Sequence, residues 1–488
     1  MSEPEPIVKA EGRNPIGWII LAALFLLNIV GSVIRADSRP EQMVKSWAQE
    51  QTQLSTALSL KSSPGGSGQA NTVLKEVRDK AQKAAPDDRM AARLRVVTAR
   101  AVDAKAKPED LRFLRTSQKA ALKKRLGRAL TPDEIKGGEE RDVADRALAD
   151  GFSKEKLTKA EANRLLQKIP DEPFVYRLGK GYIRESSGQG DAVGYAVPPL
   201  AMAKRLLAGL LMMGVCLGSI VAWVIYLVTR SNAKRALAAP PVITPGFPPV
   251  EPPRELGFPM ASITPTDADR LAIRAAQLFG GFVALSLLVG VIFAKFLPEF
   301  AMLATSAAMV GYVIVISRVP VLGKSLSLDA LGLRKPLTLK LVGYGIFGFF
   351  LEVPVSLGLV FLGQKLFSFM PEPQHPATNA LLESPSLITL ISILVSAVIV
   401  APFWEEVMFR GALFPAISRL TRSPIVGALV SSFLFAAIHP QGPVLWFSLA
   451  SIAGFSCALV LNTRSLWPSV VMHFCHNFTI LLLPILIS

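Results

Sequence analysis

Residues 387–411 read LITLISILVSAVIVAPFWEEVMFRG. No charged side chain lies between Leu387 and Trp404. An apolar run of about 18 or more residues is what a helix needs to cross the hydrocarbon core of a bilayer. The run ends in two adjacent carboxylates, Glu405 and Glu406, with Arg410 four residues after the second. Working outward, further candidate spans cover 16–34, 206–228, 275–297, 299–317, 341–363, 424–439, 443–461 and 466–487. The expected fold is an all-α polytopic membrane protein of eight or nine transmembrane helices, with a small extracytoplasmic helical insert.

Composition agrees. The 488 residues are 51% hydrophobic and 18% charged, whereas a soluble domain is about a quarter charged. That excludes an ordinary cytosolic enzyme, and so much apolar mass excludes a disordered chain. The net charge of +16 resembles a nucleic-acid signal, but much of the excess flanks the spans, where Lys and Arg set topology; no nucleic-acid partner is expected. Cys216, Cys457 and Cys475 all lie in apolar runs, so no disulfide framework or CxxC metal pair is present.

The chain divides into a signal-anchor helix at 1–35, a polar helical insert at 36–200, a second transmembrane helix at 201–235, a proline-rich linker at 236–270, and a polytopic region at 271–488 whose polar motifs fall within 385–485. The insert carries 31 Lys+Arg against 23 Asp+Glu and contains no histidine or cysteine. Ser62 to Gln69 reads as a flexible break. Thr131-Pro-Asp-Glu134 and Thr158-Lys-Ala-Glu161 read as capping boxes, with Leu126, Leu130, Leu148, Leu157 and Leu165 forming thin apolar stripes. The positive-inside rule puts the N-terminus, the linker and the turns bearing Arg422 and Arg464 in the cytoplasm, and the insert outside. The chain reads as an integral, multi-pass protein of the plasma or inner membrane.

Ionisable groups within a bilayer are costly, so each is a functional-site candidate. Glu406 and Arg410 are ion-pair neighbours at i,i+4, which leaves Glu405 on another face, free to act; the alternative is a simple cap at the membrane edge. His439, in Phe435-Ala-Ala-Ile-His439-Pro440, ends an apolar helix and reads as structural or catalytic. His473 and Asn477 share a helix face, with His476 bordering it. Glu352, before Pro354, either lines the same cavity or caps a proline kink. His375 is incidental. Counting residues from the Arg422 and Arg464 turns puts Glu405, His439 and His473 in one middle band of the membrane. Residues 387–420 as one straight helix would be about 50 Å long, so a kink near Pro402 or Pro415, or a re-entrant hairpin, is expected. Together the groups suit peptide hydrolysis: a carboxylate as general base, a histidine to orient water or hold a metal, and a His/Asn pair to stabilise an oxyanion. Neither HExxH nor GxSxG occurs.

Three motifs in order, Glu405-Glu406-Val-Met-Phe-Arg410, Phe435-Ala-Ala-Ile-His439 and His473-Phe-Cys-His476-Asn477, resemble the CPBP family: type II CAAX prenyl endopeptidases and bacteriocin-processing or immunity membrane proteins, also called the abortive-infection family. Arg410-Gly411 and Ser465-Leu-Trp-Pro468 resemble the family's flanks. The resemblance covers about residues 385–485. It implies an intramembrane endopeptidase in which Glu405 with His439 activates water, His473 and Asn477 form the oxyanion hole, and Glu406 and Arg410 support them. It implies a membrane-embedded or lipid-modified peptide substrate. The family is described both as metal-free glutamic proteases and as metalloproteases. The metal-free form, without cofactor, is the preferred expectation; the alternative is a divalent metal such as zinc on Glu405, His439 and His473, with His476 as a fourth candidate. The competing function is a non-catalytic membrane immunity or scaffold protein whose 36–200 domain binds a protein partner not identified by the sequence.

Overall fold

The computed structural model describes residues 14–37, 47–61, 67–85, 87–102, 104–119, 123, 132–171, 173–197, 199–238, 265–296, 300–321, 324–325, 331–333, 336–367, 370, 386–439 and 441–487. The proline-rich linker from Ala239 to Pro259, Thr131 of the first capping box, Leu126, Leu130 and His375 lie outside the described residues, as do the side chains of Asp133 and Glu134 and those beyond Leu27 in the first helix.

The helices in chain order begin with α1 (Ile16–Asp37). Then come α2 (Ala48–Lys61), α3 (Ser67–Gln82), α4 (Arg89–Ala101), α5 (Pro108–Arg115), α6 (Pro132–Phe152), α7 (Lys159–Leu166), α8 (Phe174–Ser186) and α9 (Ala192–Ala196). The apolar part follows with α10 (Pro199–Ala238), α11 (Pro265–Phe296), α12 (Ala301–Ile316), α13 (Leu339–Leu366), α14 (Leu387–Leu394), α15 (Ala401–Glu406), α16 (Phe414–Thr421), α17 (Pro424–Ala437), α18 (Pro443–Thr463) and α19 (Trp467–Ile487). A two-residue antiparallel ladder, Pro320–Val321 with Lys324–Ser325, is the single sheet among the described residues. The chain forms two compact units: Met1–Ala36 with Leu211–Ile485, and Asp37–Leu210 with Leu486–Ser488.

Among the described residues five helices are long and apolar enough to cross a membrane: Leu200–Ser231, Ala268–Val289, Leu339–Leu366, Leu387–Thr421 and Pro443–Thr463. Four shorter apolar helices accompany them. This is the all-α polytopic architecture that the runs of apolar residues call for. Many large apolar side chains face outward, Leu339 at 90% and Phe361 at 71% exposure among them, as helices in lipid require. The inward faces meet in an aromatic core. Phe25 of α1 stands 5.0 Å from Phe279 of α11 and 6.2 Å from Phe409, and Phe409 stands edge-on to Phe435 at 5.2 Å. The indole of Trp18 and the amide of Asn14 both donate to buried Asp269, which ties α1 to α11.

Of the two expectations for 387–421, the re-entrant hairpin is not met. No hairpin forms; the chain stays helical throughout, but with two π-helical segments, Val395–Val400 and Val407–Leu413. Each proline stands in the first turn after one of them. A proline lacks the amide hydrogen and its ring crowds the carbonyl four residues back; the wider π turn admits it without breaking the helix. At about 1.5 Å per residue the 35 residues run for roughly 52 Å, longer than the membrane core. The π segments bracket Ala401–Glu406, the short α-turn that carries both carboxylates.

The second unit is the polar insert, a helical bundle around Leu58, Leu94, Leu114, Leu148, Val175 and Leu178. Its interior holds a charged knot: fully buried Asp145 accepts from Arg93, from Arg89 and from the Tyr176 hydroxyl. Burial pushes that hydroxyl well above the usual tyrosine range. Leu148, Leu157 and Leu165 belong to the core, as the sequence stripes imply. Ser67 to Gln69, read in the sequence as part of the break, belong to α3; residues 62–66 lie outside the described residues. Thr158 caps α7 with Glu161 in a complete capping box. The Lys154 ammonium, then the Thr158 amide and hydroxyl, hold Glu161 at about 2. A depressed carboxyl stabilises the fold above its ordinary value of 4.5 and loses that contribution as pH falls toward 2. Thr158→Ala should cost about 1 kcal/mol, measured by limited proteolysis of the insert in the full chain across urea; an unchanged midpoint would contradict the cap assignment.

Candidate active site

The neighbours of the carboxylate pair hold it in place. Trp404 is 3% exposed and stacks on Phe282 at 4.4 Å; Val407, Met408 and Phe409 are wholly buried. In this setting the adjacent carboxylates separate by environment. Glu406 is fully buried, and its Oε1 lies 3.2 Å from Nη1 of Arg410, itself buried. Oε1 also accepts from Ser456 Oγ of α18 at 3.3 Å. Glu405 keeps 16% of its side chain accessible, and no hydrogen bond to its carboxylate is found among the described residues. The i,i+4 pairing of Glu406 with Arg410 and the separate face of Glu405 match the helical spacing.

His473 of α19 reaches between the two. Its Nδ1 is 3.0 Å from Glu406 Oε1, and its Nε2 is 3.7 Å from Glu405 Oε2. An Oε1 that already faces a guanidinium and a serine hydroxyl is an acceptor, so Nδ1 of His473 carries the hydrogen and donates. The 3.7 Å gap to Glu405 exceeds a hydrogen bond.

His439 follows the last turn of α17. Its Nδ1 stands 2.6 Å from the Phe435 carbonyl, one of the acceptors a helix end leaves unpaired. A carbonyl can only accept, so Nδ1 donates and Nε2 is left with its lone pair. The Phe435 ring joins the two histidines, with centroids 4.5 Å from His439 and 5.8 Å from His473. The Arg410 guanidinium lies over the same ring at 4.6 Å, a cation–π contact that fixes the floor of the site.

Asn477 takes a different position from the one its spacing suggests. Its Nδ2 donates to the Ala397 carbonyl at 2.8 Å. The reason is local. In the first π segment the Ala401 amide bonds to Ser396 O, so the π partner of Ala397 O would be residue 402. That residue is Pro402 and has no amide hydrogen. Asn477 thus satisfies a carbonyl that proline orphans, about two turns before Glu405. His476 points elsewhere too: its Nδ1 is 3.0 Å from Glu352 Oε2 of α13. Glu352, which the sequence leaves as a cavity wall or a kink cap, has this imidazole as its hydrogen-bond partner.

Sequence reasoning missed Ser456, the Ala397 carbonyl and the Glu352–His476 pair. A signal existed for Ser456: it and Ser448 are eight residues apart on one buried face of α18. No comparable signal marks a backbone carbonyl. Among the described residues no three His, Cys, Asp or Glu side chains are spaced to hold a metal ion, and the candidate set Glu405, His439, His473 and His476 does not form such a group.

Comparison with curated proteins returned no match, and comparison with solved structures returned none either. Residues 387–479, the stretch that holds Glu405, Arg410, His439, His473 and Asn477, match the family model described as type II CAAX prenyl endopeptidase, Rce1-like, so that the C-terminal part of the chain is Rce1-like in sequence.

Proposed function

We propose that the protein is an intramembrane endopeptidase that hydrolyses a peptide bond in a membrane-associated, lipid-modified substrate. The observation that carries this reading is His473 standing between adjacent carboxylates, bonded through Nδ1 to Glu406 and facing Glu405 with Nε2. The Rce1-like match over 387–479 supports the same reaction class.

The chemistry assigns one task to each group. Glu405, accessible and uncommitted, removes a proton from water as the hydroxide attacks the scissile carbonyl carbon. His439, with Nδ1 tied to Phe435 O, accepts a hydrogen bond from that water at Nε2 and orients it. His473, in its charged form, directs Nε2–H at the oxyanion, and the Glu406 carboxylate behind it stabilises that charge. The tetrahedral adduct collapses with cleavage of the C–N bond, and the proton held by Glu405 passes to the departing amine. Arg410 balances Glu406, which buried alone would be expensive. Asn477 acts by holding the π segment ahead of Glu405.

The test is cleavage of a fluorogenic farnesylated CAAX peptide by the full-length protein in proteoliposomes, with Glu405→Ala as the blank. Release of the C-terminal peptide by the wild type alone is expected. Equal release by wild type and blank, or none by either, would refute the proposal. The same peptide without its prenyl group should be cleaved less efficiently, through a higher KM, if the lipid anchor contributes to binding.

A further inference from the structure

Glu352 lies on α13, outside the stretch 387–479 that matches the family model, and the reaction above does not use it. It is fully buried, His476 is 8% exposed, and the two are bonded at 3.0 Å. The second carboxylate oxygen of Glu352 is buried with no hydrogen-bond partner. A carboxylate held so deep in an apolar helix is expensive, and the packing around it is close. On the face of α13 two turns before Glu352, a Cβ on Gly345 would stand 2.6 Å from Val471 Cβ and 2.7 Å from Pro468 O, both on α19. One turn after it, Ser356 bonds to Ser448 of α18 at 2.7 Å.

The helix α19 therefore carries two imidazoles, each gripped at Nδ1 by a buried carboxylate at 3.0 Å, Glu406 for His473 and Glu352 for His476. Three residues on a helix advance by about 300°, so the two side chains project about 60° apart and can meet different walls. Apolar packing is non-directional and leaves the rotation of α19 about its axis weakly specified. Two directional bonds from two different helices specify it. A rotation of about 10° moves a group about 6 Å from the axis by about 1 Å, and a 1 Å misplacement in an active site can cost about 10²-fold in rate.

We propose that Glu352, acting through its hydrogen bond to His476, is a positioning residue that sets the rotation of α19 and so aims His473 Nε2 at Glu405. The role rests on the hydrolase reading, and one of its two tests does not depend on turnover. In proteoliposomes with the farnesylated peptide, Glu352→Ala should lower kcat by about tenfold or more with KM within about threefold. Glu352→Gln, whose amide oxygen accepts the same bond, should stay within about threefold of wild type. The apolar double variant Glu352→Leu/His476→Leu leaves no buried polar group unpaired, keeps the fold and should lose kcat as Glu352→Ala does. The substrate-free test uses ¹⁵N-imidazole spectra, which the four histidines of the chain keep simple. The His473 resonances should shift in Glu352→Ala and in the double variant, and match wild type in Glu352→Gln. Wild-type kcat in Glu352→Ala, or unmoved His473 resonances in both the Ala and the double variant, overturns the proposal. An inactive wild type overturns the hydrolase reading alone, because the imidazole spectra still decide the positioning role.

Discussion

Glu405→Gln should lower kcat by about 10²–10⁴-fold with no change in thermal unfolding, whereas Glu406→Ala, one residue away, should destabilise the protein by about 3–5 kcal/mol. The contrast follows from surroundings. Glu405 keeps part of its side chain accessible and meets the His473 ring no closer than 3.7 Å, so an amide of the same size removes the base and little else. Glu406 is wholly buried and serves Arg410, Ser456 and His473 at once. Without it a fully buried guanidinium has no counter-charge, and breaking a buried pair from one side costs several kcal/mol because the remaining charge stays behind. Activity should fall in both variants, so the discriminating measurement is the unfolding midpoint of detergent-purified protein beside single-turnover cleavage. Glu406→Ala melting like wild type would show that Glu406 is not the keystone of the network; Glu405→Gln turning over normally would remove it as the base.

Most of this site is legible in the sequence for one physical reason: polar groups are costly in a membrane, so the few that interrupt 387–487 are there for a purpose. Glu405, Glu406, Arg410, His439 and His473 were each visible as such interruptions, and helical spacing separates Glu405 from the Glu406–Arg410 pair. What is not legible depends on register. Whether 387–421 turns back, kinks or widens into π turns is decided by where proline rings meet carbonyls, and the residue pattern is the same in all three cases. Glu352 pairs with His476 across 124 residues, and a one-turn shift of α13 against α19 would break that contact without altering the amphipathic pattern of either helix. The insert shows the converse. Its Thr158 cap is local and readable, while the Asp145 knot joins helices over 52 residues and leaves no motif.

The role of Asn477 is where spacing and structure diverge, and a paired substitution separates them. Spacing on α19 makes Asn477 an oxyanion donor beside His473; the structure engages its amide with Ala397 O. If its task is to satisfy that carbonyl, Asn477→Ala leaves a part-buried acceptor unpaired at a cost of about 1 kcal/mol. The π segment then relaxes, and Glu405 moves enough to lower kcat by up to about 10²-fold. Pro402→Ala restores an amide hydrogen at residue 402. In the π register that amide reaches Ala397 O; in the α register the Ala401 amide does. Either way the carbonyl is satisfied without Asn477. The double variant Pro402→Ala/Asn477→Ala should therefore recover most of the kcat that Asn477→Ala loses, with a coupling energy of about 1 kcal/mol or more in the double-mutant cycle. If Asn477 instead donates to the oxyanion, its removal costs about 10²–10³-fold whatever residue stands at 402, and the cycle shows no coupling.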